Sequence, residues 1–260
     1  MKTIKYAVIF ASVFCWIPAG HLISATNLSW NGRTAAVSLT FDDGDPCHTA
    51  IAIPELDKRG FKGTFFLIAK DIPGMSAGDK RQWDRAVSNG HELGDHSMTH
   101  PHPSGLTPKQ LKRETLESKK IIEQNFGVTV VSYAYPFSEA TPDQIKLVAK
   151  NFIAARTGGN DYYMTLDKVP DWSQLSSQVT LTRLDIGVYT NWLNEAVRRK
   201  AWIVFMIHGI EGTPWGWEPV PLKVFQQLLD YLKSREKDIW VAPFGEVAGY
   251  YREAVEKHPK

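Results

Sequence analysis

Short apolar runs alternate with capped, amphipathic stretches along almost the whole chain, and this alternation limits the fold more than any single motif. "AAVSLT" (35–40) reads as a strand, and 50–59 reads as a helix closed by Gly60. "GTFFLI" (63–68) is a second strand, a helix surrounds 81–88, and "HELGDH" (91–96) is a short third strand. Thr107-Pro108-Lys109-Gln110 then supplies an N-cap, a proline at the first helical position and a capping-box glutamine, opening a helix that ends at Gly127. The same device recurs at Thr141-Pro142-Asp143-Gln144, after a fourth strand at 132–135. "FIAAR" (152–156), "VTLTRL" (179–184), "WIVFMI" (202–207) and "DIWVA" (238–242) complete the strands, and a last helix starts near Gly245. Strand–helix repetition with few tight hairpins is the pattern of a parallel sheet. So many units in one domain predict an α/β fold, a distorted (β/α) barrel of seven or eight parallel strands.

The first 25 residues stand apart. Lys2 and Lys5 precede a short apolar run from Tyr6 to Ile17, followed by Pro18 and the small residues Gly20, Ser24 and Ala25. That is the layout of a secretory signal peptide, cleaved near Ala25. An uncleaved membrane anchor is the alternative, but Pro18 and His21 interrupt the run short of the ~20 residues a span needs. The expected organisation is a leader over 1–25 and one catalytic domain over 26–260, in an exported, periplasmic or secreted, protein. Removing the leader takes away two lysines and no acid, leaving basic and acidic residues equal at 28. A neutral domain without a basic cluster argues against nucleic acid or an anionic membrane as a partner. Only Cys47 then remains, so no internal disulfide can form.

In a (β/α) barrel, chemistry gathers where strands end. Asp42 and Asp43 follow the first strand, His96 and His100 the third, and Tyr135 the fourth; Arg156 closes the fifth and His208 the seventh. In "LTFDDGD" (39–45) two adjacent carboxylates disfavour each other's ionisation unless a cation lies nearby. In "HELGDHSMTH" (91–100) two histidines stand four apart, a spacing that one helical turn would place on one face. One Asp and two His make three ligands and leave a position open, the make-up of a catalytic metal site. The other Asp is then available as a base, and His208 can protonate a leaving group. The reaction class that fits is metal-assisted hydrolysis of an acyl bond.

The segments "LTFDDGD", "GTFFL", "GHELGDHSMTH", "YAYPF" and "IVFMIHG" resemble, in order and spacing, the NodB-homology polysaccharide deacetylases, carbohydrate esterase family 4. The resemblance spans about residues 35–251. It implies a NodB-like barrel, one divalent metal ion (Zn2+ foremost, with Co2+, Ni2+ or Mn2+ as alternatives) and an acetylated carbohydrate substrate. By motif, Asp42 is the implied general base, Asp43, His96 and His100 the metal ligands, and His208 the general acid. The backbone N–H of Tyr135 is the implied oxyanion donor.

Two departures from the family pattern matter. Many members carry an Arg in the fourth-strand motif, where this chain has Ala134-Tyr135-Pro136-Phe137. Arg156 is the candidate replacement; a surface ion pair is its other reading. The acid that orients the catalytic His is either Asp171, within "PDWSQL", or Asp185. Cys47 and His48 follow the acidic pair closely enough to approach a metal, although a buried Cys and a loop His are the simpler reading. Trp215 and Trp217, in the Gly- and Pro-rich loop after His208, can stack on a sugar ring or pack the loop down.

The expected function is removal of acetyl groups from N- or O-acetylated glycan, whether chitin-type, xylan or peptidoglycan. The alternatives are hydrolysis of a small amide or cyclic imide, and a non-catalytic glycan-binding relative.

Overall fold

The computed structural model describes residues 29–159, 161–211 and 216–257; the expected leader, Cys15 and Trp215 lie outside them. Among the described residues, no helix is long and apolar enough to cross a membrane. β1 (Ala35–Phe41) leads through a π-helical turn (His48–Ala52) into α1 (Ile53–Arg59), which Gly60 ends in the left-handed conformation at φ 75°. Next come β2 (Thr64–Leu67), α2 (Ala77–Ser88) and β3 (Glu92–Asp95). α3 (Pro108–Lys112) starts at the capping box of Thr107 and Gln110 and continues through a π turn into α4 (Ser118–Phe126). β4 (Ser132–Ala134), α5 (Pro142–Asn151) and β5 (Ala154–Gly158) follow, with Thr141 capping α5. The remainder comprises β6 (Met164–Thr165), β7 (Leu175–Val179), α6 (Ile186–Arg199), β8 (Ala201–Ile207), α7 (Leu222–Ser234), β9 (Ile239–Val241) and α8 (Phe244–Lys257).

The strands β1, β2, β3, β4, β5, β7 and β8 pair in parallel, and β8 returns to β1 through six residue pairs from Ala36–Trp202 to Phe41–Ile207. This closes a seven-stranded parallel barrel. β9 pairs only with the first half of β1, and β6 runs antiparallel against the start of β8, so both thicken the wall at its N-terminal end. The sixth strand begins four residues earlier than its sequence suggests. Leu175–Val179 pairs with β5 and β8, while "LTRL" turns toward α6, which Asp185 caps.

Alternation along the strands sorts the side chains into two layers. Val37, Leu39 and Phe41 join Leu193, Phe225 and Leu229 beneath the outer helices. Ala36 joins Phe66, Ala134, Ala154, Trp202 and Val204 inside the barrel. Trp30 and α8, through Phe244, Val247 and Tyr251, fill the N-terminal end of that interior. The Glu92 carboxylate helps fasten this floor, accepting bonds from Thr64 and Ser132 hydroxyls and from the Gly245 N–H of α8 at 2.6–2.8 Å.

Gly94 is required inside the barrel. A Cβ there would lie 2.4 Å from the Phe66 ring and 2.8 Å from Ser132 Oγ. Gly94→Ala should therefore cost about 1–3 kcal/mol of stability through overpacking, read as a lower urea midpoint at unchanged slope. A parental midpoint would show that Phe66 has room to move.

Candidate active site

The inner-face parity continues past the strand ends. Asp42 follows Ala36, Ser38 and Thr40, and His96 follows Glu92 and Gly94. Arg156 follows Ala154, and His208 follows Trp202, Val204 and Met206. Each therefore projects into the C-terminal mouth of the barrel, where a cleft of about 540 Å³ is lined by Asp42, Asp43, His96, His100, Tyr135, His208 and their neighbours. Asp43 reaches the same mouth because its backbone turns left-handed, at φ 74°.

His96 Nε2 lies 3.4 Å and His100 Nε2 3.6 Å from Asp43 Oδ1, and all three ligand atoms fall within 4.8 Å of one another. Asp43 Oδ1 is buried and has no hydrogen-bond partner. His96 Nδ1–H donates to the Ala134 carbonyl at 2.8 Å, leaving the Nε2 lone pair aimed at the cluster. Tetrahedral ligands about 2.0–2.1 Å from a metal stand about 3.3–3.4 Å apart. Three converging lone-pair atoms and an orphaned oxygen at that separation fit one divalent cation. The two histidines do not share a helical turn. Ser97 (φ 68°) and His100 (φ 56°) are left-handed, and Ser97 Oγ accepts the His100 N–H at 2.9 Å. A tight turn tied to Asp95, whose Oδ1 accepts the Ser97 N–H, presents them instead.

Asp42 is buried beside this cluster and accepts a hydrogen bond from the Arg156 guanidinium, which is wholly buried. The guanidinium also lies over the Phe66 ring, 4.8 Å from its centre. Burial acts to raise the Asp42 carboxyl, but Arg156, His96 and His208 together hold it below its ordinary value. Burial likewise acts to raise Asp43, and His96, His208 and His100 overcome it. Both carboxylates are thus ionised at neutral pH. His208 Nε2 stands 3.9 Å from Asp42 Oδ2, and burial lowers its pKa despite the pull of both aspartates.

The remaining expected residues divide. Tyr135 reaches the cleft, but its backbone N–H donates to the Arg156 carbonyl at 3.2 Å, so an oxyanion there would compete for it. Trp217 is 56% exposed, its ring edge-on to His208 with centres 5.0 Å apart. Neither Asp171 nor Asp185 meets His208. Asp171 is exposed and accepts bonds from Ser173 and Gln174, and Asp185 accepts the Val188 N–H at the start of α6. Both acids satisfy local turns, so the orienting role expected of one of them has no contact behind it, and His208 Nδ1 is buried without a hydrogen-bond partner.

Phe137 was not singled out in the sequence. It is left-handed at φ 55°, 51% exposed, and flanks the cleft with its ring 4.5 Å from His100 and stacked on His102. His48 is buried rather than in a loop, and Cys47 is buried beside it; neither belongs to the metal-type cluster.

A closed parallel barrel thus gathers an Asp–His–His cluster, an ionised carboxylate and an imidazole at one mouth. Residues 31–153 match the family described as polysaccharide deacetylase. A putative polysaccharide deacetylase, YxkH of Bacillus subtilis, is 31% identical over 44% of this chain and 41% of its own length. The chain thus spans less than half of that curated relative. A putative polysaccharide deacetylase from Mycobacterium smegmatis superposes with a TM-score of 0.66 at 19% identity, over 87% of this chain and 93% of that one. A family 4 acetyl xylan esterase from Clostridium thermocellum, in complex with a cobalt ion, superposes with a TM-score of 0.58 at 21% identity, over 83% and 91%. Residues 31–153 are thus similar to polysaccharide deacetylases, and the barrel as a whole shares the fold of the two superposed structures.

Proposed function

We propose that this protein is a metal-dependent deacetylase of N- or O-acetylated carbohydrate. The observation that carries the reading is the joint placement of Asp42 and His208, 3.9 Å apart, beside the Asp43–His96–His100 cluster in one cleft. A divalent cation, zinc by preference for this donor set, would supply positive charge beside the acyl oxygen and make a water molecule more acidic. Asp42, ionised and fixed by Arg156, takes the proton as water attacks the acyl carbon. His208, 3.9 Å from Asp42, delivers a proton to the departing sugar nitrogen or oxygen, and acetate is released. The exposed rings of Phe137 and Trp217 flank the cleft as apolar faces suited to a pyranose ring.

Acetate release should be measured from N-acetylglucosamine oligomers and from acetylated xylan, with and without a chelator. Release from one substrate, abolished by the chelator and restored by zinc, is expected. No release from either with metal bound would sink the deacetylase reading. Export is proposed from Lys2, Lys5, the apolar run 6–17 and the small residues before Ala25; a chain recovered outside the cytoplasm at its full unprocessed mass would contradict cleavage.

A further inference from the structure

We propose that His48 is a positioning residue for His208, a role that rests on the deacetylase reading. His48 is completely buried and sits 160 positions away in sequence, yet its Nε2 lies 2.6 Å from the His208 carbonyl oxygen. A carbonyl only accepts, so Nε2 carries the proton and donates it. Nδ1 is then the bare nitrogen, and it is buried with no hydrogen-bond partner. Burial lowers the pKa of this imidazole, in keeping with a neutral ring that donates from one side only.

The neighbouring residue makes the same kind of connection, since Cys47 Sγ accepts the Ile210 N–H at 3.3 Å. Two successive residues beyond the Asp42–Asp43 pair thus grip the chain at His208 and two residues later. The grip is itself stiff. Asp45 Oδ1 accepts the Cys47 N–H at 2.8 Å, the Asp45 carbonyl accepts the His48 N–H at 2.9 Å, and the Phe41 and Phe65 rings pack against the imidazole. The segment bearing the base thereby fixes the backbone bearing the acid. No side-chain partner holds His208 Nδ1, so its backbone and the Trp217 ring supply its orientation.

An unpartnered buried nitrogen opposes stability, so a residue kept only for packing would be better replaced by an apolar one. That contrast separates positioning from a structural role. His48→Leu trades the unpartnered Nδ1 for an unpaired His208 carbonyl, so its melting temperature should change little, and it should bind metal and substrate normally. Its kcat should fall about 100-fold, the scale of a misplaced catalytic group. His48→Gln, whose carboxamide can donate to the same carbonyl, should recover most of the turnover. Parental kcat in His48→Leu, or a joint loss of melting temperature, KM and kcat, would overturn the proposal. If the parent itself releases no acetate, the functional reading fails instead. Crystal structures of the two variants then decide the role of His48: His208 displaced in His48→Leu and restored in His48→Gln supports it, and an unmoved His208 refutes it.

Discussion

Asp42→Asn is expected to retain its metal and lose turnover by about 1,000-fold, within the range general-base catalysis supplies. The carboxamide keeps the size of the carboxylate but cannot accept the water's proton. The three ligand atoms, from Asp43, His96 and His100, are untouched by the change. His100→Ala should instead lose metal and turnover together, because it removes one of three donors. Metal content per chain, measured beside acetate release, separates the two cases. Equal metal loss in both variants would break the division of roles between Asp42 and its neighbour.

The second large effect is expected at Arg156. Arg156→Met keeps much of the volume over the Phe66 ring but leaves Asp42 buried without its cation. Breaking a buried pair from one side typically costs about 3–5 kcal/mol, so a marked fall in the unfolding midpoint is expected at neutral pH. The sign with pH follows from the shift at Asp42. Its folded pKa lies below the unfolded value, so its contribution is present above the unfolded pKa of about 3.9 and lost as pH falls through the folded one. The parent and variant should therefore converge in stability toward strong acid. In turnover, losing Arg156 removes a cation that favours the ionised base, so the acid limb of the pH–rate profile should move upward. Burial has already lowered His208, so the alkaline limb, where the acid loses its proton, should fall below the ordinary histidine value of about 6.5. An Arg156→Met enzyme with parental stability and an unmoved acid limb would reduce Arg156 to a bystander.

What the sequence carries and what it conceals differ in physical kind. The barrel was legible because its signals are local: Gly60 and Gly127 end helices, and the Thr107 and Thr141 caps begin them. α6 and α7 escaped attention although their apolar faces are plain once Leu193 and Phe225 are seen packed on β1. The strand at Leu175–Val179 was displaced toward "VTLTRL" because β-branched content outweighed pairing, and pairing to β5 and β8 is a property of the closed sheet. The metal-type cluster was visible from motif spacing, but the helical picture of its two histidines was not correct. Two residues four positions apart can converge equally well through left-handed backbone at Ser97 and His100. Asp171 and Asp185 resembled orienting acids in one dimension, yet each is consumed by the turn beside it. His48 drew notice only for its nearness to the acidic pair, because a bond to a carbonyl 160 residues away leaves no trace in local pattern.

The two ends of the barrel are built from opposite materials. One mouth carries the titratable side chains of Asp42, Asp43, His96, His100 and His208, while the other is sealed by Trp30, Trp202, Phe244 and Tyr251. The seal joins the first described residues to α8, so every element between them is made on the ribosome before α8 exists. Until residues 244–257 emerge, the inner wall at that end has no cover, and Trp202 and Phe66 face water. That end of the barrel is therefore completed only once α8 is in place, after the titratable residues of the opposite mouth have all been made.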